Sequence, residues 1–404
     1  MPGDVFPAPE RKRGVRARRW VSGFVLLAAA GRLAIAGMSP SSSRALSDRS
    51  CRWRAAPVQD PHPRLFDRFN SVTVTPSGSA WAVGDYYTGH EGGPHGSFIE
   101  EWTGQRWHLV GRPLPNAELW SVSASSPAGA WAVGDHLLEH WNGQSWHKVA
   151  TAPVQGNILW GTATHSPAEA WLVGERWRGQ HKNGKTLAER WNGSRWSVVP
   201  TPNPPSGGHR YDAILQAMSV RSASDAWAVG YWLSGPHMLV SRTLIEHWNG
   251  RRWRILPSPS VRASNGVLYN ILFAVAADDS NDAWAVGSYE SHAGGYGGGG
   301  EHALVLHWNG KRWSRASLPP SRERSFLHGV VAQAGGAWAV GDRGLPPSHH
   351  RTLIEHSDGS SWTLAPSPRG FDLAAISTPP HGTAWTVGAV GRSPLAAQLV
   401  CSHC

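Results

Sequence analysis

From about residue 51 to the end of the chain, apolar residues recur in short alternating runs. Turns rich in Ser, Asp, Asn, Gly and Pro separate them. That rhythm predicts many short strands rather than helices. One kind of run carries a Trp-x-Val-Gly box, which begins at Trp81, Trp131, Trp171, Trp227, Trp284, Trp338 and Trp385. The boxes recur about every 51 residues, and self-similarity at such a period signals a repeat architecture.

Each unit resolves into four predicted strands. Strand a is a short apolar run such as Phe273-Ala274-Val275-Ala276, and a tight turn leads into strand b, Ala283-Trp284-Ala285-Val286-Gly287. A loop of variable length precedes strand c, Ala303 to Trp308, which ends in a second motif, written most fully as Glu246-His247-Trp248-Asn249-Gly250-Arg251-Arg252-Trp253. The Asn-Gly pair predicts a two-residue type I′ hairpin into strand d, because both central positions of that turn need positive φ. Segments such as Pro257-Ser258-Pro259 cannot continue a ladder and end the unit. Four strands repeated radially make a β-propeller blade. The seventh unit stops after its strand c, Leu395 to Val400, and the missing strand d appears at the other end as Cys51-Arg52-Trp53-Arg54-Ala55-Ala56-Pro57. The expected fold is therefore all-β: a seven-bladed β-propeller of four-stranded antiparallel blades, its ring closed by the N-terminal strand completing the last blade.

Composition refines this picture at the N-terminus. Arg11, Lys12, Arg13, Arg16, Arg18 and Arg19 precede an apolar stretch from Trp20 to Ala30, with small residues offering cleavage sites near Ala36 or Ser47. Residues 1–47 read as a signal peptide, and 48–404 as the propeller. The alternative is an N-terminal anchor from Trp20 to Met38, which would place Arg32 at a cost inside the bilayer. A secreted or extracytoplasmic location follows, with no membrane span expected in the mature chain. The net charge of +10 includes +6 from residues 1–47, so nucleic acid is not an expected partner.

The Trp-Ala-Val-Gly and His-Trp-Asn-Gly-x-x-Trp motifs resemble those of bacterial repeat proteins placed among the kelch and galactose-oxidase-type propellers, over about residues 48 to 404. The resemblance implies a blade and brings no catalytic residue with it. The chain lacks the diglycine of kelch repeats proper. Its Asn-Gly-x-x-Trp hairpins are similar in placement to the sialidase Asp-box, without that motif's full spacing. A copper site like that of galactose oxidase needs a Tyr cross-linked to a Cys, and the three Cys lie at the chain ends, so no cofactor is expected.

Whatever recurs in every unit should hold the units together, and function should lie in what breaks the repeat. Nineteen of the 24 Trp are in frame, on strands b, c and d, and read as packing between blades. The recurrent Glu139, Glu189, Glu246 and Glu355, with His140, His247, His307 and His356, read as half-exposed strand positions rather than acid–base pairs. The a–b and c–d turns are short and share one rim, whereas the variable b–c and d–a connections share the other, where binding groups usually lie. Trp120, Trp160, Trp177 and Trp232 break the frame toward that rim. The position opening strand a holds Asn70, Trp120, Trp160, Gln216, Phe273, His328 and Ala374, and should ring the channel mouth. Two readings stay open for it: a hydrophobic plug, or an aromatic platform for a ligand such as a sugar.

Polar candidates on the same rim are His90, Glu91 and His95, Arg176, Arg178 and His181, His209, Arg210 and Tyr211, Glu290, His292 and His302, and Asp342, Arg343, His349 and His350. None forms a recognised metal or catalytic motif, and no metal is expected. Gly294 to Gly300 reads as a loop of low complexity. Aligning Gln398 with Glu246 places Cys401 at the Asn of the interrupted last hairpin and Cys51 just beyond its Gly, so a disulfide could replace the missing connection. Cys404 is the competing partner. The function expected is that of a monomeric, non-enzymatic binding or scaffold module recognising a glycan or protein. The alternatives are a propeller enzyme, a hydrolase or oxidoreductase with its site at the channel mouth, and a purely structural surface protein.

Overall fold

The computed structural model describes residues 51–88, 93–154, 156–177, 184–205, 212–234, 240–263, 269–291, 300–344, 350–379 and 383–401. Every regular element among them is a strand, and no helix among them is long and apolar enough to cross a membrane. The expected signal segment and His90, Glu91, Arg178, His181, His209, Arg210, Tyr211, His292, His349 and Cys404 lie outside the described residues.

The strands form seven antiparallel sheets with strands a to d in order. Blade four is typical: strand a is Asp212–Ser222, b Asp225–Ser234, c Val240–Trp248 and d Trp253–Ile255. The a strands of successive blades touch one another all the way round, which places them innermost. Serine and threonine hydroxyls stitch several of these inner strands together. Ser71 Oγ accepts the Val122 N–H at 3.2 Å, and Ser121 Oγ accepts the Thr162 N–H at 3.2 Å. Blade one departs from the pattern with an additional two-residue strand, Leu114–Pro115, beside its strand c, His95–Trp102.

The ring closes through the N-terminal strand, Cys51–Ala55, paired antiparallel with Ser393–Cys401. In blade four His247 lies opposite Trp227, and in blade seven Gln398 lies opposite Trp385. Gln398 is therefore the counterpart of His247, one residue away from the expected alignment. Trp53 pairs with Leu399 as Trp253 pairs with Trp248. Cys401 thus occupies the hairpin glycine position, and Cys51 the residue after it. These two are joined by a disulfide with Cα atoms 4.0 Å apart, closing a sequence separation of 350 residues. In blade four the equivalent residues, Gly250 and Arg251, are joined by a peptide bond. A covalent link at the same place constrains the unfolded chain by an amount on the order of a few kcal/mol in the loop-entropy picture.

The c–d hairpins differ from the expected type I′ form. Positive φ falls on the glycines, at 85° for Gly250 and 83° for Gly310, and not on the preceding asparagines. Those asparagines act instead as side-chain caps: Asn249 Oδ1 accepts the N–H groups of Arg251 and Arg252 at 3.1 and 3.0 Å. Asp358 does the same for Ser360 and Ser361 in blade six.

The in-frame tryptophans pack between blades. Each strand b Trp meets the strand d Trp of the next blade edge-on: Trp81 with Trp146, Trp131 with Trp196, Trp171 with Trp253, Trp227 with Trp313, Trp284 with Trp362, Trp338 with Trp53 and Trp385 with Trp107. Ring centroids are 4.9–6.3 Å apart and interplanar angles 77–89°. Five of the same rings also take a tilted strand c Trp at 4.6–5.3 Å. Such contacts add specific geometry to a large burial of apolar surface.

The box glycine has its own cause. Every strand a is bulged, and the bulge falls at the variable position: Asn70, Trp120, Trp160, Gln216, Phe273, His328 and Ala374. The distortion brings the strand a backbone against the box glycine. A Cβ added at Gly84, Gly134, Gly174, Gly230, Gly287, Gly341 or Gly388 would lie 1.7–2.2 Å from a carbonyl oxygen of strand a. Substituting Gly230→Ala should therefore cost about 3 kcal/mol or more, as overpacking does. Gly129→Ala, whose Cβ would meet nothing closer than 3.8 Å, should change stability little. Urea unfolding of the two variants measures the difference, and equal midpoints would contradict the steric account.

Candidate functional site

A bulge re-aims one side chain, and here it sends seven different residues into one ring. Trp120 and Trp160 stack on each other at 4.4 Å and 15°. They are 5% and 8% exposed, so they fill space instead of presenting an open ring face. Together with Ile214, Tyr231, Ile271, Phe273 and Phe326 they form one apolar cluster spanning blades two to six. The Trp120 indole donates to Glu118 Oε2 at 3.1 Å. Trp160 Nε1 and both amide atoms of the fully buried Gln216 find no hydrogen-bond partner among the described residues. The ring is thus closely packed, with little of either indole face open to solvent.

The other side of the ring is polar. Asn70 donates to the Leu119 carbonyl at 2.9 Å and to the Asp85 carboxylate, and accepts from Arg68 Nε at 3.0 Å. Arg68 also lies 3.8 Å from Asp372. Burial raises Asp85 above the usual carboxylate range, against the opposing pull of Arg68 and Asn70. Glu118 is likewise raised by burial and by the negative charge of Asp85. In blade six His328 and His350 each approach Asp342 through Nε2 at 2.6 Å. Burial opposes the charge on Asp342, but those two hydrogen bonds outweigh it and hold the carboxyl far below its ordinary range. Phe273 packs against His328 at 5.5 Å.

A second tier, two residues before each bulge, explains the asymmetry. It reads Arg68, Glu118, Ile158, Ile214, Ile271, Phe326 and Asp372 around the ring. Charges thus gather in blades seven, one and two, and apolar groups in blades three to six. Sequence reasoning singled out the variable position but missed the bulge there, this tier and Asp85. Its trace in the sequence is a charged residue two places upstream of the variable position in three of the seven blades.

Higher on the rim, Trp232 is partly exposed, with the Arg242 guanidinium 4.9 Å from its ring centroid. Trp177 is also partly exposed, just beyond the strand b of blade three, Glu169–Arg176. Tyr87, 41% exposed and stacked on Phe66 at 5.4 Å, was not anticipated. Of the remaining polar candidates, His302 contacts Ser291 Oγ at 3.0 Å and Arg343 lies 3.9 Å from Glu323. Glu290 is buried, whereas His95 is partly exposed at the start of its strand. Among the described residues no group of three His, Cys, Asp or Glu is placed to hold a metal ion.

The recurrent Glu positions require a correction, whereas His140, His247, His307 and His356 are half-exposed. Glu100, Glu139, Glu189, Glu246 and Glu355 are buried rather than half-exposed. Burial pushes Glu100 up to about 8 and Glu189 and Glu355 to about 7. Glu189 Oε2 accepts the Ala152 N–H at 2.8 Å, tying down the connection that leaves blade two. The neighbouring histidines point to the other face of the strand, as alternation requires. There they cover strand b tryptophans, His140 on Trp131 at 4.0 Å and His307 on Trp284 at 4.0 Å. Glu and His are thus separate structural devices.

No protein-family model matches the chain, and no curated protein matches its sequence. Solved structures match in fold. YCF48 bound to D1 peptide is 13% identical, with 87% of this chain and 98% of that chain covered and a TM-score of 0.51. A PL25 polysaccharide lyase, an ulvan lyase in a saccharide-bound form, is 12% identical, with 85% and 93% covered and a TM-score of 0.54. At these identities the likeness establishes the propeller fold alone.

Two measurements check this account of the ring. Trp120→Ala should lose about 3–5 kcal/mol of stability in urea unfolding, the cost of emptying a packed aromatic site. A loss below 1 kcal/mol would reopen the platform. The buried glutamates set a pH dependence, since their pKa values are raised on folding. Their stabilisation is complete below about 4.5 and is lost as pH rises through about 7 to 8. Melting temperature should fall between pH 5 and pH 8, and less steeply in Glu189→Gln. An unchanged slope in that variant would remove Glu189 from the explanation.

Proposed function

We propose that the chain is an exported, non-enzymatic binding module of the bacterial Trp-Ala-Val-Gly repeat type, similar to kelch and galactose-oxidase-type propellers. In this reading residues 1–47 direct export and residues 48–404 act as a monomer. The variable-loop face recognises a glycan or a protein segment. One observation carries the reading: the bulged position of strand a and the position two residues before it differ from blade to blade and meet at one mouth, the latter charged in blades seven, one and two and apolar in blades three to six. A rigid frame with unlike side chains at one end is how binding sites are grafted onto shared folds. The peptide and the saccharide bound by the two propellers above are ligands of the proposed classes.

The plug makes the floor of this site, so ligand contact falls to Trp177, Trp232 and Tyr87, with Arg68 and its carboxylates supplying polarity. Asn70, Trp120, Trp160, Gln216, Phe273 and His328 shape the surface from below. A second reading, a propeller enzyme, is favoured by Asp85, which pairs across the strands with Arg68, and by Glu118, which feels the charge of Asp85, two carboxylates raised by burial.

Purified 48–404 applied to glycan and peptide arrays tests both readings. The expected result is a selective ligand whose affinity falls at least about tenfold in Trp232→Ala, the scale of losing one central aromatic contact, with the melting temperature unchanged. Binding that survives Trp177→Ala, Trp232→Ala and Tyr87→Ala would sink the assignment of the face. Turnover of the bound ligand, abolished by Asp85→Asn, would select the enzyme.

A further inference from the structure

The covalent closure of the ring differs in kind from the six hairpins it imitates. In blades one to six an unbroken main chain joins strand c to strand d, and in blade seven the disulfide between Cys51 and Cys401 does so. A peptide bond cannot be exchanged, whereas a disulfide yields to a thiolate that reaches it. The chain carries such a thiol close by. Cys401-Ser402-His403-Cys404 is a Cys-x-x-Cys sequence, the spacing of exchange-active dithiols. Cys404 is the third of three cysteines, so pairing of the other two leaves it outside the disulfide. Three residues of chain span at most about 11 Å, which keeps its sulfur near that of Cys401.

The strand that the disulfide retains is loosely packed for its kind. Trp53 is partly exposed, whereas Trp107, Trp196, Trp253, Trp313 and Trp362 are buried. Its edge-on contact with Trp338 spans 6.3 Å, against 4.9–5.4 Å at the other six seams. No strand c tryptophan backs it, since Leu399 stands opposite. Arg52, Arg54 and Ala55 are exposed, and Cys51 and Cys401 are partly so, which leaves the bond open to attack. Segments with few buried contacts detach at low free energy. Cys51 and Cys401 lie directly opposite each other in the ladder, so strand pairing itself brings them together. Without that pairing the comparison reverses. One disulfide closes a loop of 350 residues and the other a loop of three, and the shorter closure costs less chain entropy. Docking of the strand therefore favours one disulfide and its release the other.

We propose that Cys51, Cys401 and Cys404 form a thiol–disulfide exchange site that opens and closes the ring. The Cys404 thiolate attacks the Cys401 sulfur, the Cys401–Cys404 bond forms and the Cys51–Cys401 bond breaks. Cys51 leaves as a thiolate and takes up the proton that Cys404 gave up. One disulfide and one thiol stand on each side of the step, so no external oxidant or reductant is consumed. The exchange frees Cys51–Ala55 from the outer edge of Ser393–Cys401 and withdraws Trp53 from the seam against Trp338. The site is on the short-turn rim and is independent of the variable-loop reading.

A pulse of N-ethylmaleimide on the full chain, followed by non-reducing peptide mapping by mass spectrometry, tells the two isomers apart. At neutral pH without denaturant the label should fall on Cys404. After incubation in urea below the unfolding midpoint it should move to Cys51, with a Cys401–Cys404 disulfide recovered in the same sample. The rate of that change should rise about tenfold per pH unit below the ordinary thiol pKa of about 8.5, because the thiolate is the attacking species. Cys404→Ser should abolish labelling of Cys51 under the same conditions and leave the melting temperature unchanged. Cys51→Ser should hold the chain as the Cys401–Cys404 isomer and lower the melting temperature. Should that variant fail to fold, the comparison of the native chain with Cys404→Ser decides the question. The proposal is overturned if Cys51 is never labelled below the unfolding transition, if Cys404→Ser labels Cys51 equally, or if Cys404 is recovered only in a disulfide between two chains.

Discussion

Every blade boundary in this ring depends on one contact, the edge-on meeting of a strand b tryptophan with the strand d tryptophan of the following blade. A four-stranded twisted sheet has two faces to bury, and a ring of sheets buries both only if each boundary is made in the same way. Large rings at fixed register positions accomplish this, since one indole removes an area that several smaller side chains would be needed to match. The contact also explains why the last blade borrows its outer strand. Without Cys51–Ala55 the Trp338 ring would have no Trp53 to meet, and one boundary of seven would be open. The disulfide then joins the positions that a peptide bond joins in blade four.

The inner edge of the sheets obeys a second constraint. A bulge in each strand a and a glycine opposite it in strand b are two halves of one arrangement, because a side chain on strand b and the displaced carbonyl cannot occupy the same place. The consequence is functional freedom. The residue before each bulge is apolar and buried, from Phe69 and Leu119 to Leu373, and the residue after it is small, from Ser71 to Ala375. The bulged residue itself answers to neither requirement and is Asn, Trp, Gln, Phe, His or Ala by turns. Variation at the mouth is therefore compatible with a scaffold that hardly varies at all.

Much of this was legible before the structure, and the misses have definite causes. Blade number, strand order and ring closure followed from the tryptophan frame and the complementary ends, because a repeated motif reports the same environment many times over. The bulge was invisible, since a single break in alternation looks like any other polar or aromatic residue in a short apolar run. Charge misled in two places. Glu189 and its equivalents carry a charged side chain on a strand and were read as half-exposed, yet a backbone N–H from the preceding connection reaches Glu189 and covers it. Gln398 was aligned with Glu246 by chemical likeness, whereas strand register makes it the counterpart of His247, and this moved Cys401 by one residue. The polar tier of Arg68, Glu118 and Asp372 needed knowledge of the bulge before its position had meaning.

The two aromatic vacancies in the strand c frame flank the same blade. Blade six meets blade five without a strand c tryptophan, at Ser357, and meets blade seven across Leu399 rather than a tryptophan. The second vacancy is filled by an aliphatic side chain, at the boundary built from both chain ends and their disulfide, so loss of aromatic packing there is offset by covalent closure. No such device stands at Ser357. A position that sequence drift had simply weakened would be expected to collapse around a smaller apolar residue, as the close packing of protein interiors favours. Here Trp284 is stacked by His307 and met edge-on by Trp362, and with Trp284 3% and Ser357 1% exposed the smaller side chain leaves almost none of the strand b ring uncovered.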